Sequence, residues 1–304
     1  MAGLSLTLAL IANQVYASKA KLLETYQVIQ PELEHNVYGL PIFINSNDAN
    51  KTMVGEVYGT LAYPFKQLKD TLSNPANWCE IIPQHLNIKA CTYQHKNGYC
   101  EITFYTGRKF YEKADDVYQI QYQYTLLNRT DDHFYINFSA ATGPLGTKDY
   151  KIEVEAIPLT GNSTFIRFSY AYKFNYLTEF GMNTYLATLG SDKVGFTMTG
   201  KDEHEQPVYI DGIRGIIERN SVRYYLAIQS FLETQQLPEK ARFAARINKW
   251  FDLTEKYHHQ LYEMEKQDYL EYKQMERVDQ LRLQASINET NSPEKNACKS
   301  NMLP

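Results

Sequence analysis

Asn220 and Tyr224 stand about one helical turn apart in GIRGIIERNSVRYYLAIQSFLE, residues 212–233, a segment whose apolar residues otherwise recur at helical spacing. At about 100° per residue, Ile213, Ile217, Asn220, Tyr224, Ala227, Ile228 and Phe231 share one face, with Ile216 beside them. An amide left unpaired inside an apolar stripe costs about 1–3 kcal/mol, so Asn220 must meet sheet backbone, a trapped water or a ligand. If the stripe faces a cavity, the Asn220 amide and the Tyr224 phenol would orient a polar head while aromatic side chains clasp an apolar body. Arg223 lies at the stripe edge and Arg219 further round; guanidiniums so placed ordinarily reach outward to carboxylates or water. The ligand-contacting and the purely structural readings of Asn220 both stay open.

Other candidates carry less chemistry. The stretch ATGPLGTKDYKI, residues 141–152, is glycine-rich, and Thr147, Lys148 and Asp149 could line a cavity mouth. It lacks the phosphate-cradle spacing and a following helix, so a tight connection is the simpler reading. In GSDKVGF, Asp192 and Lys193 beside Gly195 suit an ion pair steadying a bend. His258 and His259 are adjacent and point different ways on a helix, which disfavours a shared metal. Glu218 and Asp211 are conceivable carboxylate bases, but exposed charge is their default state. The chain has no nucleophile elbow, HExxH pair or dinucleotide fingerprint, so neither a metal nor a cofactor is expected.

The elements that must position these residues are legible from alternation. MVGEVYGTLAYPF reads as a strand, and PFKQLKDTLSNPANWCEIIP as two short helices broken at Asn74-Pro75. LNIKACTYQ and YCEITFYTG flank Asn97-Gly98, a hairpin signal. VYQIQYQYTLL, FYINFSA, YKIEVEAI and FIRFSYAYKF each alternate with period two, which predicts an antiparallel meander with one face buried and one solvated. Tyr122, Phe138 and Tyr170 fall on the inward faces and are the candidate clasping aromatics. YLTEFGMNTYLATLG then reads as helix and DKVGFTMTG as strand, before the 212–233 helix. A second helical region follows from Glu239 to about Leu283, with an apolar stripe through Phe243, Ile247, Trp250, Phe251, Tyr257, Leu261 and Met264. Its thinning toward residue 275 predicts a projecting end that could meet a partner or a second copy.

The chain of 304 residues is 43% hydrophobic and 22% charged, with a net charge of −4 and 25 tyrosines. That suffices for a real core and gives no electrostatic footprint for nucleic acid. No apolar run is long enough to span a bilayer. Leu4–Ala12 followed by Val15-Tyr16-Ala17 matches a secretory leader cut after Ala17, although a basic n-region is missing; an N-terminal strand or helix docked on the core is the alternative. The expected location is periplasmic or secreted, with cytoplasmic as the alternative. In such a compartment a disulfide among Cys79, Cys91 and Cys100 is expected. Cys91–Cys100 across the hairpin and Cys79–Cys91 are the competing pairs, while Cys298 sits alone in the tail.

This order of elements, with VYGTLAYPFKQLKDTLSNPANWCEIIP at its start, resembles the helix-grip fold of the START-like (SRPBCC) superfamily. That superfamily includes lipid-transfer START domains, polyketide cyclases and aromatase-like proteins, and the birch-pollen-allergen group. Pro64, Leu68, Leu72, Pro75 and Trp78 match its strand–proline–helix and NP-x-x-W pattern. NWCEIIPQHLNIKAC, ATGPLGTKDYKI, GSDKVGFTM and GIRGIIERNSVRYYLAI are similar to a group of exported proteobacterial START-like proteins over roughly residues 38–280, a group that supplies no reaction. The resemblance implies an α+β fold in which a curved antiparallel sheet wraps a long C-terminal helix, with a helical extension added. The implied plan is a leader at 1–17, an arm with one short strand at 18–52, the helix-grip domain at 53–235, the extension at 236–284 and a disordered tail at 285–304. Residues 175–211 and the extension depart from the minimal pattern and are candidates for a lid or a docking surface. The implied function is binding or transport of a hydrophobic or lipid-like molecule, with transient membrane contact, its site residues being Asn220, Tyr224, Arg223, Tyr122, Phe138 and Tyr170. A cofactor-independent cyclase or hydrolase using the same cavity is the alternative, as is an interaction module whose cavity is filled by its own side chains.

Overall fold

The structure, a computed structural model, describes residues 2–36, 38–174, 193–290 and 298, with side chains described from residue 17. Eight antiparallel strands form one sheet: β1 (Ile42–Ala49), β2 (Thr52–Leu61), β3 (Ile88–Lys96), β4 (Tyr99–Thr106), β5 (Tyr118–Arg129), β6 (Phe134–Thr142), β7 (Lys148–Pro158) and β8 (Thr164–Lys173). Their spatial order is β1-β2-β8-β7-β6-β5-β4-β3, so the predicted meander runs unbroken from β3 to β8 and β2 closes onto its end. Inward alternation holds in β5, where Ile120, Tyr122 and Tyr124 are buried and Gln119, Gln121 and Gln123 are exposed. Asn97 and Gly98 turn the β3–β4 hairpin, pairing Lys96 with Tyr99.

Between β2 and β3 come α2 (Phe65–Leu72) and α3 (Pro75–Ile81). The break is built locally: Asn74 accepts from the Ala76 amide at 3.1 Å, and Pro75 takes the first helical position, where its missing N–H costs nothing. Trp78 is wholly buried and its indole donates to the Leu72 carbonyl at 2.8 Å.

The long helix α4 (Gly212–Thr234) lies along the β1–β2–β8 side of the concave face. Two glycines on β2 permit this close approach. A Cβ on Gly55 would stand 2.5 Å from the Ser221 hydroxyl, and one on Gly59 would collide with the Tyr225 phenol. This sheet-and-helix arrangement is the helix-grip architecture, of the α+β class.

The outer face of the sheet is not simply solvated. A helix, α1 (Ala2–Glu34), crosses it and buries Leu22, Ile29 and Leu33 against Tyr58, Ile157 and Phe165. The segment read as an irregular arm is therefore helical up to Glu34, with β1 following. Glu153 and Glu155, which alternation placed in water, are buried beneath it. They are satisfied there: Glu155 accepts from Ser18 at 2.6 Å and contacts His133 at 2.7 Å, and Glu153 pairs with Lys151 at 2.7 Å and Arg167 at 3.5 Å.

Beyond α4 the predicted single extension divides into α5 (Glu239–Glu255), α6 (His258–Leu261) and α7 (Lys266–Thr290). Its end does not project. α7 docks on the edge strand β3, whose free backbone groups are met by amide side chains. Gln280 accepts from Cys91 N and donates to Cys79 O, both at 2.9 Å, while Gln284 accepts from Tyr93 N and donates to Tyr93 O at 2.9 and 3.0 Å. Residues 285–290, read as part of a disordered tail, continue this helix. Among the described residues no helix is long and apolar enough to cross a membrane.

Two disulfides form, Cys79–Cys91 and Cys100–Cys298, and they fit an oxidising compartment. The hairpin alternative Cys91–Cys100 fails because the register sets His95 opposite Cys100 and Phe104 opposite Cys91. Cys298 is not solitary. Cys79 and Cys91 are 12 residues apart, and closing so short a loop stabilises by about 3 kcal/mol in the chain-entropy picture. A Cys79→Ala/Cys91→Ala variant is expected to lose about that much in denaturant titration. An unchanged midpoint would show that α7 alone holds β3 to α3.

Candidate functional site

The inward tyrosines of the sheet meet α4 in one aromatic cluster. Tyr122 from β5 stands 6.3 Å from Tyr150 of β7, and Tyr150 stands 6.2 Å from Tyr170 and 5.4 Å from Tyr172, both of β8. Tyr224 of α4 closes the group, 5.8 Å from Tyr170 and 5.7 Å from Phe168. His85, just after the 3₁₀ turn Ile82–Gln84, stacks on Tyr224 at 4.5 Å. Four strand positions spaced at period two and one helix position thus converge, as the pleat and the helix face require.

The polar atoms of this cluster are unevenly satisfied. Tyr150 shares a hydrogen bond with Thr147 at 2.7 Å. The hydroxyls of Tyr122, Tyr170 and Tyr224 have no hydrogen-bond partner among the described residues, yet they are absent from the sealed unpartnered atoms, which include the Tyr257 hydroxyl. They therefore reach accessible space. Tyr170 makes the same point: burial drives its phenol well above the ordinary range, yet the side chain is only half-buried by surface. Burial raises Tyr122 and Tyr224 as well, so all three phenols stay protonated and offer hydrogen bonds, not charge.

Asn220 does not point straight at the sheet. Its Oδ1 meets His85 Nε2 at 3.3 Å and Arg223 Nη1 at 3.5 Å. His85 Nδ1 accepts from the Asn87 amide at 3.2 Å, so Nε2 carries the proton and donates to Asn220. Burial first, then the charges of Arg223 and Lys273, push the imidazole well below its usual range and keep it neutral. The Asn220 Nδ2 group has no partner among the described residues, on a half-buried side chain.

Arg223 departs most from expectation. It is 2% exposed, covered by the segment after α6, and donates to Leu261 O at 3.1 Å and Glu263 Oε1 at 2.9 Å. Helical extension, not solvent, lies outside this edge of the stripe. Arg219 is buried too. Phe138 is fully buried among Trp78 at 5.0 Å, Tyr124 at 5.2 Å and Tyr122 at 6.5 Å. Glu218, read as exposed, is wholly buried on the other flank of α4.

The remaining candidates resolve into structural roles. Thr147 closes the 3₁₀ turn Pro144–Gly146 through the Pro144 carbonyl, and Asp149 pairs with Lys173 at 3.1 Å. Lys193 pairs with Glu263, and Asp192 lies outside the described residues, as does the helix expected at 176–190. Of the expected DKVGFTMTG strand, residues 192–200, the described strand takes in 198–200 within Met198–Lys201, paired with Pro207–Tyr209. His258 contacts Glu255 and His259 faces Tyr209; no group of metal-ligating side chains occurs among the described residues. A groove of about 520 Å³ lies elsewhere, under α1, lined by Tyr26, Leu33, Pro41, Thr60 and Leu159.

No family model matches the chain, and no curated protein matches it. Solved structures of similar outline include norcoclaurine synthase from Thalictrum flavum (11% identity, 46% of this chain and 76% of that one, TM-score 0.32). Human StAR-related lipid transfer protein 5 (12%, 56% and 90%, 0.30) and an aromatase/cyclase from Streptomyces (12%, 68% and 94%, 0.32) are others. Scores this low carry no argument about function, and the helix-grip assignment rests on the strand order and the placement of α4.

Proposed function

We propose that this chain is a START-like protein that binds a hydrophobic or amphipathic small molecule, lipid-like in character, between the sheet and α4. It acts as a carrier or sensor without covalent chemistry. The observation that carries this reading is the set of three protonated, unpartnered phenols, Tyr122, Tyr170 and Tyr224, gathered where the sheet meets α4. Buried polar groups are normally paired, and a bound molecule with an aromatic or aliphatic body and a few oxygens would pair them. The two disulfides support an exported, periplasmic or secreted protein, released by cleavage after Ala17.

Native mass spectrometry of the purified chain is expected to show an added small-molecule mass that organic extraction removes. Tyr170→Trp, which fills the space, is expected to abolish that mass while the protein stays folded. A wild-type protein that is empty from every expression host overturns the reading.

A further inference from the structure

Lys109, from the β4–β5 connection, Lys193 and Arg223 converge on a single carboxylate, Glu263. The lysine Nζ atoms lie 2.5 and 3.5 Å from Glu263 Oε2, and Arg223 Nη2 lies 2.9 Å from Oε1. Arg223 and Glu263 are sealed, at 2% and 3% side-chain exposure, whereas Lys109 and Lys193 keep 32% and 27%. Three cations on one anion leave two positive charges uncompensated among the described residues. In partly desolvated surroundings such an excess is costly unless something negative joins it. Burial accordingly lowers the Lys109 ammonium despite the opposing pull of Glu263.

This cluster adjoins the phenols through Asn220. Its Oδ1 touches Arg223 on one side and His85 on the other, and His85 is the ring stacked on Tyr224. With Oδ1 engaged twice, the amide has only its Nδ2 donors left to offer. Lys193 also donates to the Tyr262 carbonyl at 3.0 Å, so what this end has left to offer, the remaining N–H groups of two ammoniums and an amide N–H₂, is donors, and a cationic or acceptor-poor head finds nothing to bind.

We infer that the ligand of the aromatic space is an anion, bearing a carboxylate or a phosphate that docks against the Lys109–Lys193–Arg223 cluster beside Asn220. This rests on the proposal that the space is a ligand site, and the test separates the two. The probes are 1-anilinonaphthalene-8-sulfonate and N-phenyl-1-naphthylamine, which share an aromatic body and differ in the anionic group. Wild-type protein is expected to bind the sulfonate about 10-fold more tightly, the value of one charge-assisted hydrogen bond. Lys109→Gln/Lys193→Gln is expected to bring the ratio of the two affinities to about one, and Tyr170→Trp to remove binding of both. Sulfonate displacement by oleate or by oleoyl lysophosphatidate, whichever is stronger, names the head as carboxylate or phosphate. If neither dye binds, the ligand site itself is refuted. If both bind equally and the lysine variant leaves the ratio unmoved, or if oleyl alcohol displaces as well as either acid, the site stands and the anionic head is refuted.

Discussion

Replacing Glu263 by glutamine is expected to lower the unfolding free energy by about 3–5 kcal/mol, the usual result of removing one partner from a buried ion pair. The reason is geometric. Arg223 is sealed beneath the segment after α6, its Nε already lacks a partner, and Glu263 is the carboxylate that compensates its charge. With glutamine in place, Arg223, Lys109 and Lys193 repel one another with no anion between them. Burial alone would raise the Glu263 carboxyl, but Arg223, Lys109 and Lys193 outweigh it and hold the group down to about 2.

The sign of the pH dependence follows. A carboxylate held below its unfolded value releases its proton more readily when folded, so its contribution is fully present above the unfolded value near 4.5. It is lost as pH falls from there through about 2. The displacement corresponds to about 3 kcal/mol. Urea titrations of wild type and Glu263→Gln between pH 7 and 2.5 are expected to converge at the acidic end. Parallel curves would mean that Glu263 is not the group compensating Arg223. Arg223→Met/Glu263→Leu should recover part of the loss, because an apolar pair leaves no charge stranded at that edge.

Much of the frame behind this cluster is legible in the sequence because it is periodic. Alternation in β5, β7 and β8 places Tyr122, Tyr150, Tyr170 and Tyr172 on one face, and the 3.6-residue period places Tyr224 against them. What escapes is what joins segments without a shared period. Lys109, Arg223 and Glu263 come from a loop, a helix edge and an interhelical turn, and no local pattern links residues 154 apart such as Lys109 and Glu263. His85 offers only one residue type in a polar stretch, and its role needs the distance to Tyr224. Alternation also misleads at Glu153 and Glu155, since it cannot tell solvent from a covering helix, under which Ser18 of that helix and Arg167 and His133 of the sheet meet the charge. The Cys100–Cys298 bond closes over 198 residues, beyond any hairpin argument. Asn220 is visible as an oddity in its stripe; His85 and Arg223, not the sheet, are what its Oδ1 meets.

Glu218→Ala is expected to cost a similar 3–5 kcal/mol and to loosen the anionic end of the site from a distance. The Glu218 carboxylate is wholly buried and accepts four hydrogen bonds. Ser46 of β1 and the Thr197 hydroxyl donate to Oε1 at 2.6 and 2.7 Å, and the Phe196 and Thr197 amides donate to Oε2 at 2.7 and 2.9 Å. Alanine would strand these donors, each at a cost of about 1–3 kcal/mol before relaxation. Glutamine is no remedy, because its NH₂ turns a donor toward donors. The carboxylate ties three elements, α4, β1 and the chain entering the Met198–Lys201 strand, and Lys193 lies three residues before the first tethered amide at Phe196. Hydrogen exchange at Phe196 and Thr197 is therefore expected to quicken by at least an order of magnitude in Glu218→Ala. The preference for the sulfonate dye over its neutral counterpart should fall as Lys193 loses its fixed place beside Glu263. Retained amide protection in the variant would show that the Tyr38 hydroxyl, which donates to the Phe196 carbonyl at 3.0 Å, together with the Gly195–Ile210 backbone bond at 2.6 Å, suffices to hold this segment. Lys193 would then keep its place beside Glu263, and the dye preference would be unchanged.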